Sequence, residues 1–251
     1  MERTVEEHER GRDAFETDED YKLHRLRHST AHIMAQAITQ LYPEVSLAIG
    51  PPIQDGFYYD VEIPNVTLSE EDFSAIEKEM KRVCKQNQVF ERENWSKEKA
   101  TSYFSEKKQQ FKLELIEGIA DETVSIYRNP RRDGSEFLDL CAGPHVMRTG
   151  SCKHFKLLKV SGAYWRGDQN NPQLQRVYGT VWPNRDQLDK YLFRIEEAKK
   201  RDHRRLGRDL GLIMFHDWAP GAVFWLPRGE DLYNTLASRM RKLLAGNGYD
   251  V

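Results

Sequence analysis

The chain has 251 residues, 39% of them hydrophobic, with 38 basic against 40 acidic side chains and a formal net charge of −2. This length and hydrophobic share allow one large domain, or one domain plus part of another, and exclude a globally disordered chain. The near balance of charge excludes a uniformly basic nucleic-acid protein, so any RNA contact has to come from a local patch.

Residues 1–20 are charged, acid-rich at "ETDED" and without the apolar centre of a signal peptide, and they read as a frayed leader. A first helix is predicted from about Tyr21 to Leu41, where Leu26, Thr30, Ile33, Ala37 and Leu41 fall on one arc. His28 and His32 share the opposite stripe with Ala35 and Thr39. "SLAIGPPIQDGFYYDVEI" then carries a hairpin-like signal around Pro-Pro and Asp55-Gly56. A second helix opens at Ser69, with Asp72 placed for a capping box and Leu68 and Phe73 for a hydrophobic staple. Its buried face is Phe73, Ile76, Met80 and Val83, with Cys84 beside them as a small core residue. A third helix is predicted from Ser96 to about Lys107.

Five short stretches follow, "FKLELI", "TVSIY", "EFLDLC", "HFKLLKV" and "QRVYGTVW", and all read as strands bounded by turn residues. Helices ahead of a strand-rich block imply an α+β fold, with helices packed on an antiparallel sheet. From Asn184, with Gln187 three residues on, a long helix bears an apolar stripe of Leu188, Tyr191, Leu192 and Ile195 and then a dense basic run. Such a charged helix reads as a bridge between two domains. Residues 209–251 hold a Pro/Gly-rich turn, an apolar run and another amphipathic helix, and are expected to stop inside a second, incomplete domain. No apolar run approaches the ~20 residues of a membrane span, so a cytoplasmic protein is expected.

The chemistry-bearing residues form two pairs. His28-x-x-x-His32 lies on a helix, where residues four apart sit one above the other and can address one atom. The Glu of the metalloprotease motif H-E-x-x-H is absent, because residue 29 is Ser. Cys141-x-x-x-His145 encloses Gly143-Pro144, which blocks a helix and places this pair at a strand end and turn. Together the four side chains match a tetrahedral zinc shell; surface histidines and a half-buried cysteine are the plainer alternative. Asp139 either ends a strand or orients an imidazole or a substrate amine. Three cysteines (Cys84, Cys141, Cys152) make no disulfide framework and fit a reducing compartment. Cys152 and His154 fall on one strand face, where a structural or RNA-side role suits them.

"SGAYWRGDQNNPQLQRVYGTVW" (161–182) resembles the signature of the second additional domain, the editing domain, of threonyl-tRNA synthetases. "HSTAH", "AIGPPIQDGFYYD" and "DLCAGPHV" resemble that domain's other motifs in the same order, "KKRDHRRLGRDLGL" resembles the linker helix, and "APGAVFWLPRGEDLYNTL" resembles the opening of the class II aminoacylation domain. The resemblance covers nearly all of residues 21–251. It implies an editing domain at 21–183, a linker helix at 184–208 and the start of the aminoacylation domain at 209–251. By this resemblance, residues 21–251 are not expected to contain the family's N-terminal ubiquitin-like domain or most of its aminoacylation domain, with the ATP site and catalytic zinc.

The resemblance implies part of a threonine–tRNA ligase that hydrolyses mischarged Ser-tRNA(Thr) and does not itself activate threonine. A threonine site admits serine because one methyl is worth only ~1–3 kcal/mol, and a second, hydrolytic site corrects the error. The implied catalytic residues are His28, His32, Cys141, His145, Asp139 and Lys112, of which Lys112 matches a pocket lysine of the family. Tyr127 is aligned with a pocket tyrosine, although "RNPRRDG" nearby reads as an insertion. Lys153, Lys156, Lys159 and Arg166 are candidates for RNA phosphates, and the run Lys199–Arg205 for the acceptor stem or a solvated face. The threonyl type implies editing without a metal; alanyl-type relatives leave zinc on His28, His32, Cys141 and His145 as the alternative. The implied partner is tRNA(Thr) charged with serine, with homodimerisation a property of the full-length family enzymes. The competing expectation is a non-catalytic tRNA-binding or zinc-stabilised structural module.

Overall fold

The computed structural model describes residues 14–131 and 133–250, so most of the expected leader lies outside the described residues. The chain forms two compact units, one ending at Leu188 and the other beginning at Asp189.

In the first unit, helix α1 (Asp18–Leu41) starts three residues before the predicted Tyr21. Thr17 caps it, accepting the Asp20 N–H at 3.1 Å. Asp18, Glu19 and Asp20 fill the first turn, where carboxylates meet the positive end of the helix. The acid-rich "ETDED" is therefore a helix start. Every residue from Leu26 to Ile38 is buried, so the expected polar stripe is covered as fully as the apolar one. Strands β1 (Ser46–Leu47), β2 (Pro52–Ile53) and β3 (Gly56–Glu62) follow. Helix α2 (Phe73–Gln86) is entered through the Ser69/Asp72 capping box and buries Phe73, Ile76, Met80, Val83 and Cys84.

Next come β4 (Glu91–Ser96), α3 (Lys97–Glu106) and α4 (Gln110–Gly118). Helix α4 corrects the expectation of a strand at "FKLELI". Alternation of Phe111, Leu113 and Leu115 mimics a strand, but Leu, Lys and Glu are good helix formers, and the helix buries Phe111, Lys112 and Ile116. Strands β5 (Thr123–Pro130), β6 (Glu136–Leu140), β7 (His154–Tyr164) and β8 (Gln173–Trp182) complete the unit. One antiparallel sheet runs β1-β3-β8-β7, with β2 also paired to β3; a second runs β4-β5-β6. The fold of this unit is thus mixed helix and antiparallel sheet.

Among the described residues three cores hold it together. The largest joins α1 and α2 to the first sheet through residues such as Ile33, Ile38, Phe57, Ile76, Met80 and Val177. A second packs α3 and α4 under the second sheet through Trp95, Phe104, Ile116 and Ile126. A small third cluster of Ala48, Phe111, Trp165 and Leu174 connects α4 to the first sheet. Helix α5 (Arg185–Lys200) begins at the unit's end, where Asn184 Oδ1 accepts the Gln187 N–H at 3.0 Å.

The second unit holds the remainder of α5, then α6 (His203–Asp209), β9 (Ile213–Met214), β10 (Phe224–Trp225) and α7 (Pro227–Gly246). The predicted single helix over 184–208 is two helices, because Asp202 turns its carboxylate back onto the Arg204 N–H at 2.8 Å and caps α6. Strands β9 and β10 pair antiparallel. Leu232, Leu236, Met240 and Leu243 of α7 are exposed. Among the described residues no helix is long and apolar enough to cross a membrane.

Gly179 of β8 faces Phe57 of β3 across the first sheet, and a Cβ there would stand 2.5 Å from Phe57 Cζ and 3.2 Å from Leu157 Cδ2. Gly179→Val is expected to cost about 1–3 kcal/mol by overpacking. A urea titration would show this as a lower midpoint at unchanged slope; an unmoved midpoint would mean that Phe57 yields freely.

Candidate functional site

Helical spacing on α1 places the His28 and His32 rings 5.4 Å apart, centroid to centroid. The opposing pair comes from the loop after β6. Gly143 has φ +83°, and a Cβ on it would lie 2.3 Å from Tyr127 Oη, so this tight turn suits glycine alone. The turn returns the chain to α1, and His145 comes to rest 4.3 Å from both the His28 and the His32 ring. Cys141 Sγ lies 3.2 Å from His28 Nε2 and 3.3 Å from His145 Nε2, and accepts the Gly143 N–H at 3.3 Å.

The back of His145 is held from several sides. Phe90 stacks on it at 4.8 Å and 6°, and Tyr127 meets it edge-on at 4.4 Å. Ser29 Oγ lies 3.1 Å from its Nδ1 and accepts the Val146 N–H at 2.9 Å. Arg25 donates to the His145 carbonyl from Nε at 2.8 Å and Nη2 at 2.5 Å. Ser29 thus occupies the position of the metalloprotease Glu and acts instead as a prop for a histidine.

A second group adjoins the first. Lys112 Nζ pairs with Asp139 Oδ1 at 2.5 Å, and both side chains are 2% exposed. Tyr59 donates its hydroxyl to Asp139 Oδ2 at 2.5 Å and accepts from Lys112 Nζ at 3.1 Å. His32 Nε2 lies 3.7 Å from Asp139 Oδ2 and links the two groups. A cavity of about 70 Å³ opens onto His28, His32, Cys141, Asp139, Lys112 and Tyr59, with Ile49, Leu115 and Ile119 among its apolar walls.

Burial sets the protonation states. It pushes His32 down to about 4, with the Asp139 carboxylate opposing and the Lys112 ammonium reinforcing. Burial, then the neighbouring His28 and His32, lowers His145 well below its ordinary value. Burial and the Asp139 charge push the Cys141 thiol up to about 12. The same two causes hold the Tyr59 phenol well above its usual range. At neutral pH His32 and His145 are therefore uncharged, and they stand with a thiol and a phenol around the Lys112–Asp139 pair.

One ligand atom from each of His28, His32, Cys141 and His145 lies within 4.8 Å of the others, compact enough for a zinc-sized ion. Four protein donors would fill a tetrahedral zinc, and Cys141 would have to lose its proton to join them.

Of the residues expected from the sequence, His28, His32, Cys141, His145, Asp139 and Lys112 come together here. Tyr127 lies behind His145 rather than on the cavity wall. Lys153, Lys156 and Arg166 do not line the cavity. Lys156 pairs with Glu77 of α2 at 2.9 Å, and Arg166 Nη2 donates to the Glu114 carbonyl at 3.3 Å. Cys152 and Cys84 are core residues, Cys84 Sγ donating to the Cys152 carbonyl at 3.0 Å. The sequence reading missed Tyr59, Ser29, Arg25 and Phe90. Strand alternation in "GFYYD", which puts Phe57 and Tyr59 on one buried face, was the available signal for Tyr59. No local pattern marks the other three.

Residues 124–178 match the family described as the threonyl and alanyl tRNA synthetase second additional domain. Over longer stretches the chain is similar to threonine–tRNA ligases. That of Wolbachia sp. subsp. Brugia malayi is 47% identical over 238 residues, 94% of this chain and 37% of the relative. That of Rubrobacter xylanophilus is 51% identical over 229 residues, 90% of this chain and 35% of the relative. That of Halorhodospira halophila is 48% identical over 228 residues, 90% and 35% respectively. The chain thus spans about a third of the length of the curated relatives it matches.

The low value for His32 has a consequence for stability. In the unfolded chain its imidazole takes up a proton below pH 6.5, whereas in the folded protein it does so only near 4. The unfolded state therefore binds more protons in that window, and this contribution to stability is complete above pH 6.5 and lost as pH falls toward 4. Urea midpoints measured from pH 7 to 4.5 in the presence of a chelator should fall, and those of His32→Leu should fall less steeply. Parallel curves would contradict a neutral buried His32.

Proposed function

The chain is related to the threonyl-tRNA synthetases over a stretch that includes their second additional domain, and from that premise we propose that its cavity hydrolyses the ester of mischarged Ser-tRNA(Thr). The observation that carries this reading is the meeting of His28, the uncharged His32, a thiol and the Lys112–Asp139 pair on one small cavity. On this reading residues 21–183 are the editing domain, 184–208 the linker and 209–251 the start of the aminoacylation domain. The protein acts in the cytoplasm as part of a ligase, with tRNA(Thr) as its RNA partner and Lys153 as a candidate for its phosphates.

The chemistry needs a base, a water and a place for negative charge. His32, uncharged at neutral pH, takes a proton from the water as its oxygen adds to the ester carbonyl. Negative charge then develops on the carbonyl oxygen, where the Lys112 ammonium stabilises it. Collapse breaks the bond to the ribose oxygen, which regains the proton, and releases serine and tRNA. Asp139 balances the Lys112 ammonium and that of the substrate's serine. On this reading the further methyl of threonine is excluded by crowding against the apolar residues that line the cavity, Ile49, Leu115 and Ile119. One methyl supports about 10–200-fold discrimination.

Zinc, held by His28, His32, Cys141 and His145, would supply Lewis-acid character. Because four protein donors leave it no open position, such an ion suits a structural role. That same four-donor geometry favours the second reading, a zinc-stabilised module that binds tRNA without hydrolysing it.

Deacylation of Ser-tRNA(Thr) and Thr-tRNA(Thr) by this chain, with and without a chelator, separates the readings. The serine ester should be hydrolysed faster, and the chelator should leave the rate unchanged. Hydrolysis of neither ester by folded protein would overturn the catalytic reading. A chelator that unfolds the chain would favour the structural one. His32→Ala should lower the rate by about 10²–10⁴-fold, the usual share of a general base, while tRNA binding persists. An unchanged rate would remove His32 from the reaction.

A further inference from the structure

The tip of the β7–β8 hairpin, "YWRGDQNNP", carries part of the chain's longest motif, yet none of its residues lines the cavity. Its contacts lead to α4 instead. Trp165 is 3% exposed, and its indole N–H donates to Glu114 Oε2 at 2.7 Å. Its ring packs on Phe111 at 5.0 Å, within the cluster that also holds Ala48 and Leu174. Arg166, at φ +54°, sends Nη2 to the Glu114 carbonyl at 3.3 Å. The start of α4 is tied to the same sheet, since Gln109 accepts the Leu47 N–H at 2.8 Å and donates to the Val45 carbonyl at 2.9 Å.

These ties bracket Lys112. Phe111 and Glu114 flank it within one turn of α4, and both are gripped by Trp165. The opposite side of the helix belongs to another core, through Ile116. Lys112 therefore sits on a helix shared between two cores, and its ammonium has to reach Asp139 of β6 and Tyr59 of β3 together.

We propose that Trp165 and Glu114 are positioning residues, and that the hairpin tip is a strut holding the Lys112 ammonium in register with Asp139 and Tyr59. This rests on the hydrolytic reading for its effect on rate, but not for its effect on geometry. The strut acts by a hydrogen bond to an acceptor, so charge at position 114 is dispensable. Glu114→Gln keeps an acceptor oxygen, whereas Glu114→Leu and Trp165→Phe each remove one end of the bond while keeping apolar bulk.

The test uses the full chain and two readouts. In single-turnover and steady-state deacylation of Ser-tRNA(Thr), Glu114→Leu and Trp165→Phe should lower kcat by about 10- to 100-fold with little change in KM, as misplacement of a catalytic group does. Glu114→Gln should stay within a few-fold of wild type. Independently, brief treatment with an amine-acylating reagent followed by mass spectrometry reads the burial of Lys112. Its labelling should rise several-fold in Glu114→Leu and Trp165→Phe relative to the exposed lysines, and remain low in Glu114→Gln. A uniform rise at all lysines in the first two variants, or unchanged Lys112 labelling in them, would overturn the strut. If wild-type protein hydrolyses neither ester, the hydrolytic reading fails and the labelling alone decides this one.

Discussion

The buried ion pair of Lys112 and Asp139 ties helix α4 to strand β6 inside the first unit. Two charges taken out of water are tolerated only when each meets the other in good geometry and the remaining oxygen and protons find partners. Tyr59 supplies that completion, bonding to the second carboxylate oxygen and to the ammonium. The three groups come from α4, β6 and β3, so their meeting fixes the second sheet and its helices against the first sheet. Breaking such a pair by removing one partner typically costs about 3–5 kcal/mol, whereas the intact pair adds little net stability. Its value is the specification of one arrangement, the arrangement on which the cavity depends.

The histidine cluster follows from the same packing. Helix α1 is buried over its whole middle because the loop after β6, Phe90 and Phe137 cover the face that the first sheet and α2 leave free. An imidazole is tolerated there when it is uncharged, and burial enforces that state on His32 and His145. Neutral imidazole is also the form that can accept a proton or bind a metal. Burial thus adds a structural cost and creates reactivity at once, and the residues around His145 are the structure's means of keeping its ring in place.

Much of this was legible in the residues. Helix α2 was readable from its capping box and apolar spacing, and β5 to β8 from short β-rich runs bounded by turn residues, whereas β4 carries no such signal. HxxxH and CxxxH were recognised as pairs, and Gly143-Pro144 as the reason that the second pair lies on a turn. Other features were hidden. "FKLELI" satisfies a two-residue period by coincidence, and only burial of Phe111 together with Lys112 and Ile116, the last two one helical turn apart, identifies it as a helix. The acid-rich start of α1 looked like a leader because three carboxylates beside a helix cap and three in a solvated tail have the same composition. The break at Arg201–Asp202 depends on a side chain turning back onto its own backbone, which competes with helix continuation and leaves no trace in periodicity.

The sequence by itself determined which chemistry is present: two imidazoles one helical turn apart, a thiol and an imidazole on a glycine turn, and motifs shared with threonyl-tRNA synthetases. These are local properties, set by spacing of a few residues and by the backbone that each residue permits. Tertiary structure alone decided that the pairs converge, that Lys112 and Asp139 are buried together with Tyr59, and that Lys156 and Arg166 are engaged elsewhere in the fold. Those outcomes depend on contacts between residues distant in the chain, such as Ser29 with His145 or Trp165 with Glu114. Which distant partner a polar side chain meets is settled by how the cores pack, and no short stretch of sequence records it.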